Sequence, residues 1–138
     1  MLFKKEDLIS ELDLEKIKEK LGRVRYKHTL FVLKAALKLS KKLSLDQRKI
    51  EAAALLHDIA KNIEAEQLQE IVKKTKWQPD QLELSIIPVL HAPAGAVIAE
   101  KEFGITDIEV LEAIRYHTLG HPEMGKIARV IYAADFIS

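Results

Sequence analysis

The 138-residue chain contains no cysteine, a single tryptophan and almost no excess of either charge. Without cysteine it can form no disulfide, no thiolate nucleophile and no cysteine-ligated zinc site, so any metal ion has to be held by histidine, carboxylate and water. It contains 22 Lys and Arg residues and 21 Asp and Glu residues, which gives a net charge of +1. This balance supplies no overall basic field, so we expect neither nucleic acid nor a membrane as partner.

Long apolar runs are also missing, and the opening stretch MLFKKEDLISELDLEK is charged throughout. It predicts neither a signal peptide nor a transmembrane helix. We expect a cytoplasmic location, because a chain without disulfides suits a reducing compartment. The length and the 48% hydrophobic content predict one soluble domain with a core of its own.

Apolar residues recur at three- and four-residue spacing along nearly the whole chain, which predicts an all-α fold, a single compact bundle of seven or eight helices. We expect helices over residues 5–20, 23–42, 44–61, 64–75, a short piece after Pro79, 93–103, 107–117 and 124–138. The patterns S-x-x-Q at Ser44 and T-x-x-E at Thr106 predict two of the helix starts. We place one domain over residues 1–138, with an amphipathic helix over 1–22 and the core over 23–138. Because no cap or breaker precedes Ser138, we expect the natural protein to continue.

Six titratable residues fall on apolar helix faces in separate parts of the chain: His28, His57, Asp58, His91, His117 and Asp135. A lone histidine on such a face is more often a hydrogen-bonded core residue than a ligand. Here several such groups occur together, and the helices supply few Ser, Thr or Asn partners near them. Since buried charge is costly unless it is paired or bound to metal, the set favours a divalent ion such as iron, manganese or zinc.

The stretch AAALLHDIAK, residues 52–61, is the strongest single signal. It places an adjacent His57 and Asp58 in an apolar segment, followed by Lys61 three and four residues later, on the same side of a helix. An ammonium group there would repel a bare cation, but it is well placed if an anion such as phosphate bridges it to a metal. The pattern therefore predicts a metal site that binds an anionic substrate.

Five blocks of the sequence occur in an order that resembles the HD-domain phosphohydrolase superfamily, and within it the YqeK branch: RVRYKH, AALLHDIAK, LHAPAGA, AIRYHTLG and IYAADFI. The resemblance begins at about residue 23. It implies the helical bundle of the HD domain and the symmetrical cleavage of diadenosine tetraphosphate to two ADP, by attack of a water activated on the metal. The family pattern continues past residue 138 with a proline and a nucleotide-contacting arginine.

The resemblance also implies residue roles. It implies one metal ion, with iron the expected metal, ligated by His28, His57, Asp58 and Asp135. Nucleotide contacts are expected from Arg25, Lys61, His91, His117 and Thr118. The catalytic residues are then Asp58, Lys61, His91 and His117. Either His91 or His117 is expected to donate a proton to the leaving oxygen. In two-metal relatives, histidines at such places hold a second ion that shares the aspartate, and this arrangement stays open.

Other functions stay open at this point. A broader nucleotidase or phosphodiesterase of the same superfamily is one, although the G-Y-P signature of the cyclic di-GMP group is absent. A metal-dependent nucleotide sensor without turnover is another. The amphipathic N-terminal helix could also dock a protein partner or a second copy of the chain, which would give a homodimer.

Overall fold

The structure, a computed structural model, describes residues 13–138. Across these residues it contains α-helices and no β-strand, which confirms the all-α prediction. Part of the N-terminal helix predicted over residues 5–20 lies outside the described range. The described helices are α1 (Leu14–Lys42), α2 (Gln47–Leu56), α3 (Ala65–Lys73), α4 (Gln81–Ser85), α5 (His91–Phe103), α6 (Ile108–Arg115) and α7 (Lys126–Ile137), with a 3-10 turn over Ile87–Leu90. None of the helices in residues 13–138 has the length and apolar character needed to cross a membrane.

Helix α5 is the centre of the bundle, because all of its residues from His91 to Ala99 are buried. It packs against α6 and α3, while α1 packs on α2 and α7, and α6 joins α2 to α7. Gly95 lets α5 approach closely: a Cβ added there would lie 3.1 Å from Cγ2 of Ile114 and 3.7 Å from the carbonyl oxygen of His57. The segment that follows α2 is therefore held between the central helix and its neighbours.

Helix α1 is broken at Gly22, as the sequence predicts, since this residue adopts φ 74° and ψ 169°. The break frees carbonyl groups at the end of the first half, and Asn62 Nδ2 donates to the carbonyl oxygens of Lys20 (3.3 Å) and Leu21 (2.8 Å). The end of the segment after α2 is thereby tied to the break in α1.

Two predicted helix starts were wrong by one or two residues. Helix α2 is capped by Asp46, whose Oδ1 accepts from the backbone N–H groups of Arg48 and Lys49, whereas Ser44 has a positive φ of 57°. Helix α6 is capped by Asp107 rather than by Thr106. In both cases a carboxylate one or two residues after the expected residue accepts the free N–H groups and is as good a cap as a hydroxyl group.

Candidate metal centre

The adjacent residues His57 and Asp58 do not lie within a helix, which corrects the expectation that this helix runs to Lys61. Helix α2 ends at Leu56, and the chain continues in tight turns, with the N–H of Ile59 bonded to the carbonyl of Leu56 and the N–H of Lys61 to that of Asp58. Neighbouring side chains on an α-helix diverge by about 100°. In the turn both side chains nevertheless face the same point, with Nε2 of His57 3.5 Å from Oδ2 of Asp58.

The four residues expected to hold the metal converge in space. Nε2 of His28 lies 3.0 Å from Oδ1 of Asp135 and 3.9 Å from Oδ2 of Asp58. Nε2 of His57 lies 3.5 Å from Oδ2 of Asp58 and 3.6 Å from Oδ1 of Asp135. These residues come from α1, the turn after α2, and α7, so the packing of three segments brings one set of nitrogen and oxygen donors together.

The other oxygen of Asp58 faces a second pair of imidazoles. Nε2 of His91 and Nε2 of His117 lie 3.2 Å and 3.3 Å from its Oδ1, and 3.0 Å from each other. His91 is the first residue of α5, not part of a gap before Pro93 as the sequence suggested. Asp58 is thus the shared member of two groups whose ligand atoms each lie within 4.8 Å of one another: His28, His57, Asp58, and Asp58, His91, His117.

Three of the four histidines are oriented by the backbone. The Nδ1–H groups of His57, His91 and His117 donate to the carbonyl oxygens of Ala54, Pro88 and Ile114, each three residues earlier, at 2.7, 2.8 and 2.7 Å. In the neutral ring this fixes the tautomer and leaves the Nε2 lone pair pointing at the centre, which is how proteins prepare a histidine to bind metal.

Burial and the close opposite charges set the protonation of the cluster. Burial alone would raise the pKa of Asp58, but the imidazoles of His117 and His91 outweigh it and hold the pKa far below the usual range. Burial likewise opposes ionisation of Asp135, but the His57 imidazole lowers its pKa. Burial would lower the pKa of His57, yet the carboxylates of Asp135 and Asp58 outweigh it and raise the pKa. For His117 burial prevails, and the pKa is lowered.

The donor set fits a divalent cation. His57 is fully buried, and its Nε2 has no hydrogen-bond partner among residues 13–138. His91 and His117 direct their Nε2 atoms at each other, which places two lone pairs face to face whenever both rings are neutral. The imidazoles of His91 and His117 and the carboxylate of Asp58 would together hold a cation, since neutral imidazole with carboxylate is a donor set for transition metals.

The residues expected to contact the nucleotide line the same cavity of about 340 Å³. Arg25 reaches Asp58 directly, with Nη1 3.2 Å from Oδ2. Lys61 is exposed, and its ammonium group has no hydrogen bond or ion pair within the described part of the chain. Thr118 has a buried Oγ1 without a partner in that same part. The cavity thus combines the His–Asp cluster with two cationic side chains.

Sequence reasoning missed four residues of the cavity wall: Pro88, Val89, Tyr132 and Phe136. A signal for two of them was present, since Tyr132 and Phe136 stand three residues before and one after Asp135. Residues at i and i+3 or i+4 share one face of a helix, so projecting α7 from Tyr132 would have placed Asp135 and Phe136 on the same face as this ring.

Comparison with known proteins places the chain in a family. The HD domain family model matches residues 25–138. The chain is 39% identical over 122 residues to a symmetrical bis(5'-nucleosyl)-tetraphosphatase of Bacillus subtilis (strain 168), covering 88% of this chain and 64% of that protein. It is 41% identical over 120 residues to the protein of the same name from Staphylococcus aureus (strain NCTC 8325 / PS 47), covering 87% and 61%.

A solved structure has a fold similar to that of this chain. The crystal structure of a predicted HD superfamily hydrolase involved in NAD metabolism from Clostridium acetobutylicum superposes with a TM-score of 0.85 at 32% identity, over 99% of this chain and 70% of that one. The chain spans somewhat less than two thirds of the length of the two curated relatives. Because the family match covers both groups of histidines and the shared aspartate, the chain belongs to the HD domain family.

Proposed function

We propose that this protein is a metal-dependent phosphohydrolase that cleaves diadenosine tetraphosphate symmetrically into two ADP. The relatives of 39% and 41% identity carry the name of that activity. The observation that carries the proposal is the placement of Asp58, whose two oxygens face separate sets of imidazoles at the wall of a cavity that also presents Arg25 and Lys61. A tetraphosphate needs both features, a cation at the scissile phosphorus and positive side chains for its remaining oxygens.

The residues divide the chemistry between them. A divalent ion held by His28, His57, Asp58 and Asp135 would supply a nucleophile from water at neutral pH and would polarise a phosphoryl oxygen. Arg25 binds phosphoryl oxygens through its planar fork, and Lys61 adds a second positive charge as negative charge builds in the transition state. The incoming oxygen forms a bond to the third phosphorus. The bond from that phosphorus to the oxygen that bridges it to the second phosphate breaks, so each half of the substrate is released as ADP.

His91 and His117 fit the role of ligands better than that of a proton donor. Burial lowers the pKa of His117, and its Nδ1–H is already donated to Ile114, so at neutral pH its Nε2 offers a lone pair rather than a proton. We therefore favour a second ion held by Asp58, His91 and His117 over the single ion that the resemblance implied. Iron as the metal, a cytoplasmic location and a homodimer stay predictions.

Elemental analysis and product analysis of purified protein test this function together. We expect iron and a metal content closer to two ions than one per chain, and ADP as the sole nucleotide product from diadenosine tetraphosphate. Replacing Asp58 by Asn should abolish metal retention and hydrolysis together, while Glu123→Gln, an exposed carboxylate away from the cavity, should retain both. Appearance of AMP with ATP would contradict the cleavage position, and activity in metal-free protein would contradict the mechanism.

A further inference from the structure

Helix α7 presents three cavity residues on one face. Tyr132, Asp135 and Phe136 all line the cavity, as their i, i+3 and i+4 spacing allows. Oδ1 of Asp135 lies 3.0 Å from Nε2 of His28, so this face begins at the metal centre. The two rings are four residues apart and thus span about 6 Å along the helix axis. Two of the eight aromatic residues of the chain therefore stand beside the cluster.

The two rings differ in how they are held. A Cβ added to Gly120 would lie 3.5 Å from Cε2 of Tyr132, so the Tyr132 ring packs along the turn that follows Thr118. Phe136 is 84% exposed, more than any other large hydrophobic residue of the described range. Helix α7 packs on α1, α2 and α6, and none of these helices covers the ring of Phe136. The planar apolar ring of Phe136 is thus left uncovered by these helices, at the mouth of a cavity lined by the His–Asp cluster and by the cationic side chains Arg25 and Lys61.

Outside the two rings, the described cavity wall offers few neutral side chains that could hydrogen-bond the edges of a base, and the hydroxyl of Thr118 is one of them. Its described lining contains no Asn, Gln or Ser, and its charged groups lie at the metal cluster or are the cations Arg25 and Lys61. Recognition of a nucleotide in this part of the chain therefore depends mainly on phosphate contacts and on ring faces. Stacking on aromatic rings tolerates any base, because every base has a π-face.

We propose that Tyr132 and Phe136 form a stacking platform for one nucleobase of the substrate, and that the site accepts adenine and guanine alike. This inference rests on the proposed function for the identity of the ligand as a nucleoside polyphosphate. Purines bind more tightly than pyrimidines on such a platform because they cover more of it. The phosphates of the same nucleotide then extend from the ring of Phe136 past Asp135 toward the metal cluster and Arg25.

Calorimetric titration of the metal-loaded protein with ADP and with inorganic pyrophosphate tests the platform. Replacing Phe136 by Ala should weaken ADP binding about tenfold, the lower part of the range for losing one base–aromatic stack. It should leave pyrophosphate binding within twofold, since that probe carries no base. Phe136→Trp should restore ADP binding, and ADP and GDP should bind the wild-type protein within threefold of each other and more tightly than UDP.

Phe31 supplies the matched control, because it is also exposed, at 60%, but does not line the cavity. Phe31→Ala should leave both affinities unchanged. Equal weakening of ADP and pyrophosphate by Phe136→Ala, or an ADP affinity within twofold of wild type, would overturn the platform. These titrations do not depend on turnover: a protein that fails to cleave diadenosine tetraphosphate but loses ADP selectively on Phe136→Ala refutes the proposed function and keeps the platform.

Discussion

Replacing Glu83 by Gln tests whether the buried ion pair between Glu83 and Arg115 holds together the two segments that carry His91 and His117. Nη1 and Nη2 of Arg115 each donate to a carboxylate oxygen of Glu83 at 2.8 Å. The same guanidinium group donates to the carbonyl oxygens of Trp77 (3.1 Å) and Gln78 (2.7 Å). Arg115 stands at the end of α6, two residues before His117, and Glu83 lies on α4, just before the 3-10 turn that leads to His91.

The magnitude follows from burial. Arg115 and Glu83 are only 4% and 5% exposed, so solvent screens their interaction little. Breaking a buried pair by removing one partner costs about 3–5 kcal/mol, because it leaves an uncompensated charge. The amide of Gln keeps one acceptor oxygen for Arg115, so we expect a loss near the lower limit, about 3 kcal/mol. With a denaturant slope of about 1–3 kcal/mol per molar urea, this lowers the unfolding midpoint by about 1–3 M.

The assay is urea denaturation of metal-free protein, so that ligand binding does not mask the loss of stability. Glu100→Gln is the control, because Glu100 pairs with Lys76 at a similar distance, 2.9 Å, but at the surface; it should cost less than about 1 kcal/mol. In the double variant Glu83→Met with Arg115→Met, the loss should be smaller than the sum of the two single losses. Equal losses for Glu83→Gln and Glu100→Gln would refute the reasoning.

Two further predictions concern the ligands of the cavity. Lys61→Met should raise KM for diadenosine tetraphosphate about tenfold, as expected for one lost charge-assisted contact of about 1.4 kcal/mol, and steady-state kinetics at low salt should show it; an unchanged KM would remove Lys61 from the phosphate site. Metal affinity should fall as pH is lowered from 8 to 6, because the carboxylates of Asp135 and Asp58 raise the pKa of His57 and a proton then competes with the metal for its Nε2. Metal titrations of Asp135→Asn should show this fall at lower pH, since the carboxylate that raises the pKa is gone; the same midpoint in both proteins would contradict the assignment.

The identity of the site residues was readable from the sequence, because their chemistry is unusual for their surroundings. His28 and Asp135 are 107 positions apart, yet the spacing of apolar residues places each of them on an apolar face of its predicted helix. Composition and spacing were also sufficient for the fold class and for the break at Gly22. Neither depends on knowing which helices touch, since both follow from local propensity and from the 3.6-residue period.

The sequence did not indicate which side chains of a helix are buried against its neighbours and which are exposed. Val24 and Phe31 stand four residues before and three after His28, which the helical period places on one face, yet they are 81% and 60% exposed. Glu83 and Arg115 look like ordinary surface charges in the sequence and are buried together. Pairings of this kind depend on which segments meet in space, and local pattern carries no information about that.

The end of α2 determines how the adjacent side chains of His57 and Asp58 are oriented relative to each other. On a continued helix the two side chains would diverge by about 100°. Because the chain leaves the helix after Leu56, the imidazole stays anchored by Nδ1 to the carbonyl of Ala54, while the carboxylate turns so that Oδ2 faces His57 and Oδ1 faces His91. A substitution that extended α2 by one turn would keep every candidate ligand in the sequence, but it would replace the bonds from Ile59 to Leu56 and from Lys61 to Asp58 and so change the distances from Asp58 to the two groups of imidazoles.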